Sequence, residues 1–181
     1  MTITLTLAEI RLAKFLAKSR YQAARDAGVV NAKMGNQSDE ETDLTGVGAE
    51  LAFCRLFNVY PDLKIGVRKG SHDAIWSGYT VDVKGSTFRG ARLLATLLKK
   101  DAPSDIYALM TGIFPEYTFR GMATKRELLV ASRLTNLGHG EGYAMDQSDL
   151  TFPEEEHEKA RRAIGSIQID EESLLNRAGI F

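Results

Sequence analysis

The stretch that most constrains the fold is residues 71–86, Ser-His-Asp-Ala-Ile-Trp-Ser-Gly-Tyr-Thr-Val-Asp-Val-Lys-Gly-Ser. It has the pattern of a β-hairpin: a first strand over Asp73 to Trp76, a Ser77-Gly78 turn, and a second strand over Tyr79 to Lys84. Strand alternation sends Thr80, Asp82 and Lys84 to one face and Tyr79, Val81 and Val83 to the other. One strand face therefore carries a carboxylate beside an ammonium, and the paired strand brings a second carboxylate, Asp73. Such a cluster is costly to bury unless its members are paired or bound. Hard oxygen donors beside a cation are the residue types that a metal-dependent site needs.

The rest of the chain surrounds this hairpin with ordinary globular sequence. Its 181 residues, 44% hydrophobic and 26% charged, suit one domain with its own core. The N-terminal residues lack a basic head followed by an apolar block, and no apolar run is long enough for a membrane span. The single cysteine, Cys54, excludes an internal disulfide, and the expectation is a cytoplasmic protein without membrane association. Charge is unevenly spread. Residues 64–133 hold 12 Lys and Arg against 6 Asp and Glu, a net of +6, while residues 134–181 hold 4 against 10, a net of −6. A basic middle third around acidic residues suits a polyanionic substrate better than a small nucleotide.

Upstream, residues 7–26 have the spacing of an amphipathic helix, with Leu7, Ile10, Leu12, Phe15, Leu16 and Tyr21 inward. Lys14, Lys18, Arg20 and Arg25 would lie on its solvated side, and Gly28 would end it. The acid-rich segment 31–43 reads as a loop, and 44–58 as the next helix, capped by Asp43 or Thr45. On that helix Glu50 shares a face with Phe53 and Phe57, so its carboxylate is either paired, for instance with an arginine, or bound to something. Residues 63–67 are a candidate edge strand.

Downstream, 93–98 reads as a strand or a helical turn, 99–104 as a turn, 105–113 as a central strand, and 117–121 as a strand ending at Gly121. Thr124 and Glu127 form a capping box that opens a helix to about Asn136. His139 falls in a Gly-rich loop, 143–147 is a last strand, and helices are expected at 153–165 and 170–177. The domain thus divides into an N-terminal helix 7–26, a core of about 44–115, and a helical, acidic part 123–181 that is a candidate dimer contact.

A helix bearing Glu50, a strand bearing Asp73, and a hairpin into Asp82-Val83-Lys84 together resemble the PD-(D/E)xK nuclease superfamily. Twenty-two residues separate Glu50 from Asp73 and 8 separate Asp73 from Asp82; His72 stands where the pattern has proline. The segment Phe119 to Leu129 is similar to the one just downstream of the core in phage-encoded members. The resemblance implies an α/β fold of restriction-endonuclease type, a central mixed sheet of four or five strands flanked by helices. It implies a Mg²⁺-dependent endonuclease (Mn²⁺ substituting) that acts in the cytoplasm, the host's if phage-encoded.

On that resemblance Glu50, Asp73, Asp82 and Lys84 are the catalytic set. Asp73, Asp82, the Val83 backbone carbonyl and Glu50 are the metal ligands. Arg68, Lys69, Arg89, Arg92, Lys125 and Arg126 are the candidate nucleic-acid contacts, with DNA favoured over RNA. Two alternatives stay open: a non-catalytic nucleic-acid-binding relative, and a metal-dependent phosphohydrolase acting on small nucleotides.

Overall fold

Helix α1 spans Leu7–Asp26 and begins where Thr6 and Glu9 close a capping box. Its buried stripe is Ala13, Leu16, Ala17 and Arg20, a spacing of three and four residues. Phe15, expected inward, falls off that stripe and is 60% exposed, as is Leu7 at 76%. Arg20, expected in solvent, lies on the stripe and is buried. Helix α2 spans Asp39–Phe57 and starts earlier than expected, because Ser38 and Glu41 form its capping box. Asp39, Glu40 and Glu41 occupy its first turn, where acids favour the helix dipole, and are not part of a loop. Asn58 in the left-handed conformation ends it.

The computed structural model describes residues 1–28, 38–66, 72–101, 103–138 and 140–153. Cα packing divides the chain into Met1–Leu150 and Thr151–Phe181. Of the second unit only Thr151–Pro153 are described, so the two expected C-terminal helices and the acidic tail lie outside the described residues, apart from Pro153.

The first unit is an α/β fold built on a five-stranded mixed sheet. Its strands are β1 (Thr2–Thr4), β2 (Ala74–Trp76), β3 (Tyr79–Ser86), β5 (Ile106–Ile113) and β6 (Glu116–Thr124), in the order β1-β6-β5-β3-β2. The pair β3–β5 is parallel and the other pairs are antiparallel. The hairpin is as expected: Ser77 and Gly78 both take positive φ (50° and 83°), the geometry of a two-residue turn whose twist matches that of its strands. No strand forms over Leu63–Gly66; only Pro61 bridges to Ala74.

Between β3 and β5 the chain leaves this sheet. It makes β4 (Leu93–Thr96) and a 3₁₀ turn, Leu97–Lys100, and β4 joins β8 (Glu141–Met145) and β7 (Leu134–Asn136) in a second, three-stranded sheet. Strand β6 does not stop at Gly121. The glycine, at φ +121°, sits where the β5–β6 register shifts, and pairing resumes to Thr124. The helix after Thr124 is a single turn, α3 (Lys125–Leu128), because the chain turns at Ala131–Arg133 to form β7.

Alternation along β5 divides the interior in two. Ile106, Ala108 and Met110 join α1, α2, Val81 and Val83 in one core. Tyr107 and Leu109 join Leu93, Ala95, Ala123, Leu128, Tyr143 and Met145 in the other. Helices α1 and α2 therefore cover one face of the large sheet, and the small sheet with α3 covers the opposite one. Helix α2 is buried continuously from Val47 to Cys54, and its Phe53 and Phe57 rings stack 4.5 Å apart. Each large apolar side chain buried in this way contributes roughly 1.5–3 kcal/mol. Several of them together outweigh the cost of carrying Glu50 inside. A Cβ on Gly85 would stand 2.9 Å from both Ala49 Cβ and the Thr45 carbonyl oxygen, so glycine there lets α2 lie directly on β3 just past Lys84. Among the described residues no helix is long and apolar enough to cross a membrane.

Candidate active site

The hairpin's charged residues gather around Val83. Asp73 lies immediately before β2, with its own amide bonded to the Val81 carbonyl. Its Oδ2 accepts a 2.7 Å hydrogen bond from the Val83 N–H. The carboxylate thus completes the edge of β3 beyond the point where the β2 ladder ends at Ala74 and Val81. Asp82 and Lys84, the residues on either side of Val83, point to the sheet face opposite the valines.

Asp82 is 2% exposed, and its carboxylate lies between two lysines. Lys84 Nζ pairs with Oδ1, and Lys99 Nζ lies 2.5 Å from Oδ2. Lys99 comes from the 3₁₀ turn that follows β4, so it reaches Asp82 from the crossover and not from the hairpin. Burial works against ionisation of Asp82, but Lys84 and Lys99 outweigh it and hold the carboxyl below its ordinary range. Tyr107 stands opposite Asp82 in the β3–β5 register. Its hydroxyl is buried without a hydrogen bond of normal geometry. Burial, with Asp82 adding to it, pushes the phenol up to about 12. One step along the same strand face, Asp105 Oδ2 accepts from Thr80 N–H and Oγ1, and Oδ1 pairs with Lys125 at 2.9 Å. Lys125, a candidate nucleic-acid contact, therefore pairs with an anion supplied by the protein itself.

Glu50 is the other buried carboxylate. It is 8% exposed and lies 2.7 Å from Arg20 Nη1. Arg20 also donates from Nη2 to the Asp62 carbonyl at 2.5 Å and from Nε to the Lys64 carbonyl at 3.2 Å. The guanidinium thus ties α1, α2 and the segment leading to the hairpin together. Glu50 and Asp73 both lie close enough to Cys54 to act on it: burial first, then these two carboxylates, push its thiol up to about 12.

Among the described residues no three or more His, Cys, Asp and Glu side chains gather into a metal-holding group. As the side chains stand, Asp82 is ion-paired with two ammonium groups and Asp73 is bonded to the Val83 amide, so this lining does not present a divalent cation with a ready donor set.

Of the candidate nucleic-acid contacts, Arg89, Arg92 and Arg126 are exposed. The loop carrying the first two is fixed where Gln147 Nε2 donates to the Arg89 and Ala91 carbonyls, 2.8 Å each. Arg68, Lys69 and His139 lie outside the described residues. Sequence reading missed Lys99, Arg20 and Gln147. Only Arg20 had a local signal, its place on the Ala13-Leu16-Ala17 stripe.

A family model matches residues 1–125, which take in every strand of the large sheet, both long helices and the whole Asp73–Asp82–Lys84–Lys99 cluster. The chain belongs to DUF5843, a family of unknown function. No curated protein and no solved structure matches it. The DUF5843 match ends as α3 begins, so Arg126 and the strands β7 and β8 fall beyond it.

Proposed function

We propose that this DUF5843 chain is a metal-dependent nuclease that hydrolyses phosphodiester bonds, with DNA the favoured polymer. The observation that carries the reading is a buried Asp82 flanked by Lys84 and Lys99, with Asp73 fastened to the intervening Val83 amide. The order that the PD-(D/E)xK resemblance calls for, a helix with Glu50 and then a hairpin with Asp73 and Asp-x-Lys, supports it. So does the net positive charge of residues 64–133.

In this reading Asp73, Asp82 and the Val83 carbonyl would be the groups to hold a cation, once an ammonium has left Asp82. A bound divalent ion would neutralise the phosphate and lower the pKa of a water. Lys84, partly exposed beside Asp82, would stabilise the charge that builds on the phosphoryl oxygens. The low pKa of Asp82 keeps it an anion at neutral pH, as a ligand must be. Arg89 and Arg92, exposed on the loop after β3, are placed to meet backbone phosphates, which position a nucleic acid without reading its sequence. Glu50, a metal ligand on the resemblance, is paired with Arg20 in the structure, and in this reading it serves to fix α2 instead of holding the cation. A phage or mobile element acting in the host cytoplasm is the setting that goes with this proposal.

A plasmid-cleavage assay tests it. Purified protein should nick or cut DNA with Mg²⁺ or Mn²⁺ and stop with EDTA, and Asp82→Ala and Lys84→Ala should each remove cutting while circular dichroism stays unchanged. An Asp82→Ala protein that cuts at the wild-type rate would sink the assignment. DNA binding without cleavage under either metal would point to a non-catalytic relative.

A further inference from the structure

We infer that Phe88 is a stacking platform for an unpaired base, so that the DNA this chain takes is single-stranded where it meets the loop after β3. This rests on the nuclease reading above and names its substrate class, but the binding itself needs no metal.

Phe88 stands between β3 and β4 and is 69% exposed. A lone exposed ring on a loose loop would be unremarked surface. This loop is fixed at several points. The Phe88 N–H donates to Ser86 Oγ at 3.2 Å, and the Ala91 N–H donates to the Phe88 carbonyl at 3.1 Å. Gln147, just past β8, donates to the Arg89 and Ala91 carbonyls at 2.8 Å each. The ring itself lies against Gly90, where a Cβ would stand 3.1 Å from both Cε1 and Cζ of Phe88. Glycine at 90 therefore seats the ring and leaves most of it open. A side chain held in place before its partner arrives loses little freedom on binding.

The surroundings select the partner. Arg89 and Arg92 follow the ring in sequence and are exposed. Residues 83–100 hold five Lys and Arg and no Asp or Glu. An aromatic ring beside cations suits a single strand, because every base has a π face and every nucleotide carries a phosphate. In an intact duplex those faces are covered by neighbouring bases, and a ring on a loop has nothing to stack on. Four residues separate Phe88 from Lys84, at most about 14 Å of extended chain, so one strand can meet both. A supercoiled plasmid, which opens locally, remains a substrate.

The test is fluorescence anisotropy of the full chain in EDTA, with a labelled oligodeoxynucleotide used single-stranded and annealed to its complement. Wild type should bind the single strand more tightly. Phe88→Leu keeps an apolar side chain without a π face. It should weaken single-strand binding at least roughly fivefold and leave duplex binding and salt dependence unchanged, while Phe88→Trp should keep the wild-type affinity. Arg92→Gln should instead flatten the slope of log affinity against log salt by about 0.7. Circular dichroism confirms each fold, and Gly90→Ala, which displaces the ring, serves if Phe88→Leu is unfolded. Unchanged single-strand affinity in the Phe88→Leu or Gly90→Ala protein, with plasmid cutting intact in wild type, would overturn the platform and leave the nuclease reading standing. Failure of wild type to bind either probe and to cut plasmid would overturn both.

Discussion

The two buried carboxylates of this protein are partnered in different ways. Glu50, on the helical side of the large sheet, pairs with Arg20, whose other donors hold the Asp62 and Lys64 carbonyls. Asp82, on the opposite face, meets two lysines whose side chains are 34% and 20% exposed. A guanidinium is a rigid fork of fixed donors, and with three of its bonds directed into the protein it acts as a strut. An ammonium on a four-carbon stem is a point charge that can change partners. The comparison teaches that the partner, and not the buried acid, decides whether a buried carboxylate is held in one arrangement or can change partners.

Truncating the strut should produce the largest stability change. Arg20→Ala removes the guanidinium that pairs with buried Glu50 and holds the Asp62 and Lys64 carbonyls, and should cost about 3–5 kcal/mol, read from urea unfolding. A loss below about 1 kcal/mol would break the comparison. The opposite result is expected at the strand. Lys84→Met should lower the DNA-cleavage rate by roughly 10²-fold or more and change stability by no more than about 1 kcal/mol, since the ammonium is partly in water.

A smaller effect concerns acid. Lys125 and Thr80 hold the Asp105 carboxyl down to about 2. A depressed native pKa stabilises the fold above the unfolded value of about 3.9, and that stabilisation disappears as pH falls through about 2. Asp105→Asn should therefore flatten the fall of the urea midpoint between about pH 4 and pH 2; an unchanged profile would show the Lys125 pair to be idle. The smallest effect is chemical. Cys54 is 3% exposed and its thiol is pushed up to about 12, so iodoacetamide should leave it unmodified until the protein unfolds. Rapid labelling of native protein would mean that α2 opens around Glu50.

The hairpin was legible because its signals are local. Period-2 alternation, a Ser-Gly turn and the Asp82-Val83-Lys84 order all act within 16 residues, and the structure reproduces the pairing. The bounds of α1 are legible for the same reason, through its helical spacing and Gly28. What escaped was set by distant packing. The helix expected after Thr124 gives way to β7 because β8 and β4 offer it a sheet to join. Lys99 reads as half of a Lys-Lys turn, and nothing near it in the chain reveals that the crossover will bring it to Asp82. Arg20 was placed in solvent by residue type, although its spacing from Leu16 and Ala17 puts it on the buried stripe.

The measurement that bears most directly on the difference between the two carboxylates is plasmid cleavage by Asp82→Asn and Glu50→Gln, run side by side with Mg²⁺ and with each variant verified as folded. Asp82→Asn should fall by roughly 10³-fold or more, while Glu50→Gln, whose amide oxygen can still accept from Arg20, should keep cutting within about tenfold of wild type. Cleavage that survives Asp82→Asn, or that vanishes in a folded Glu50→Gln protein, would contradict this division of roles.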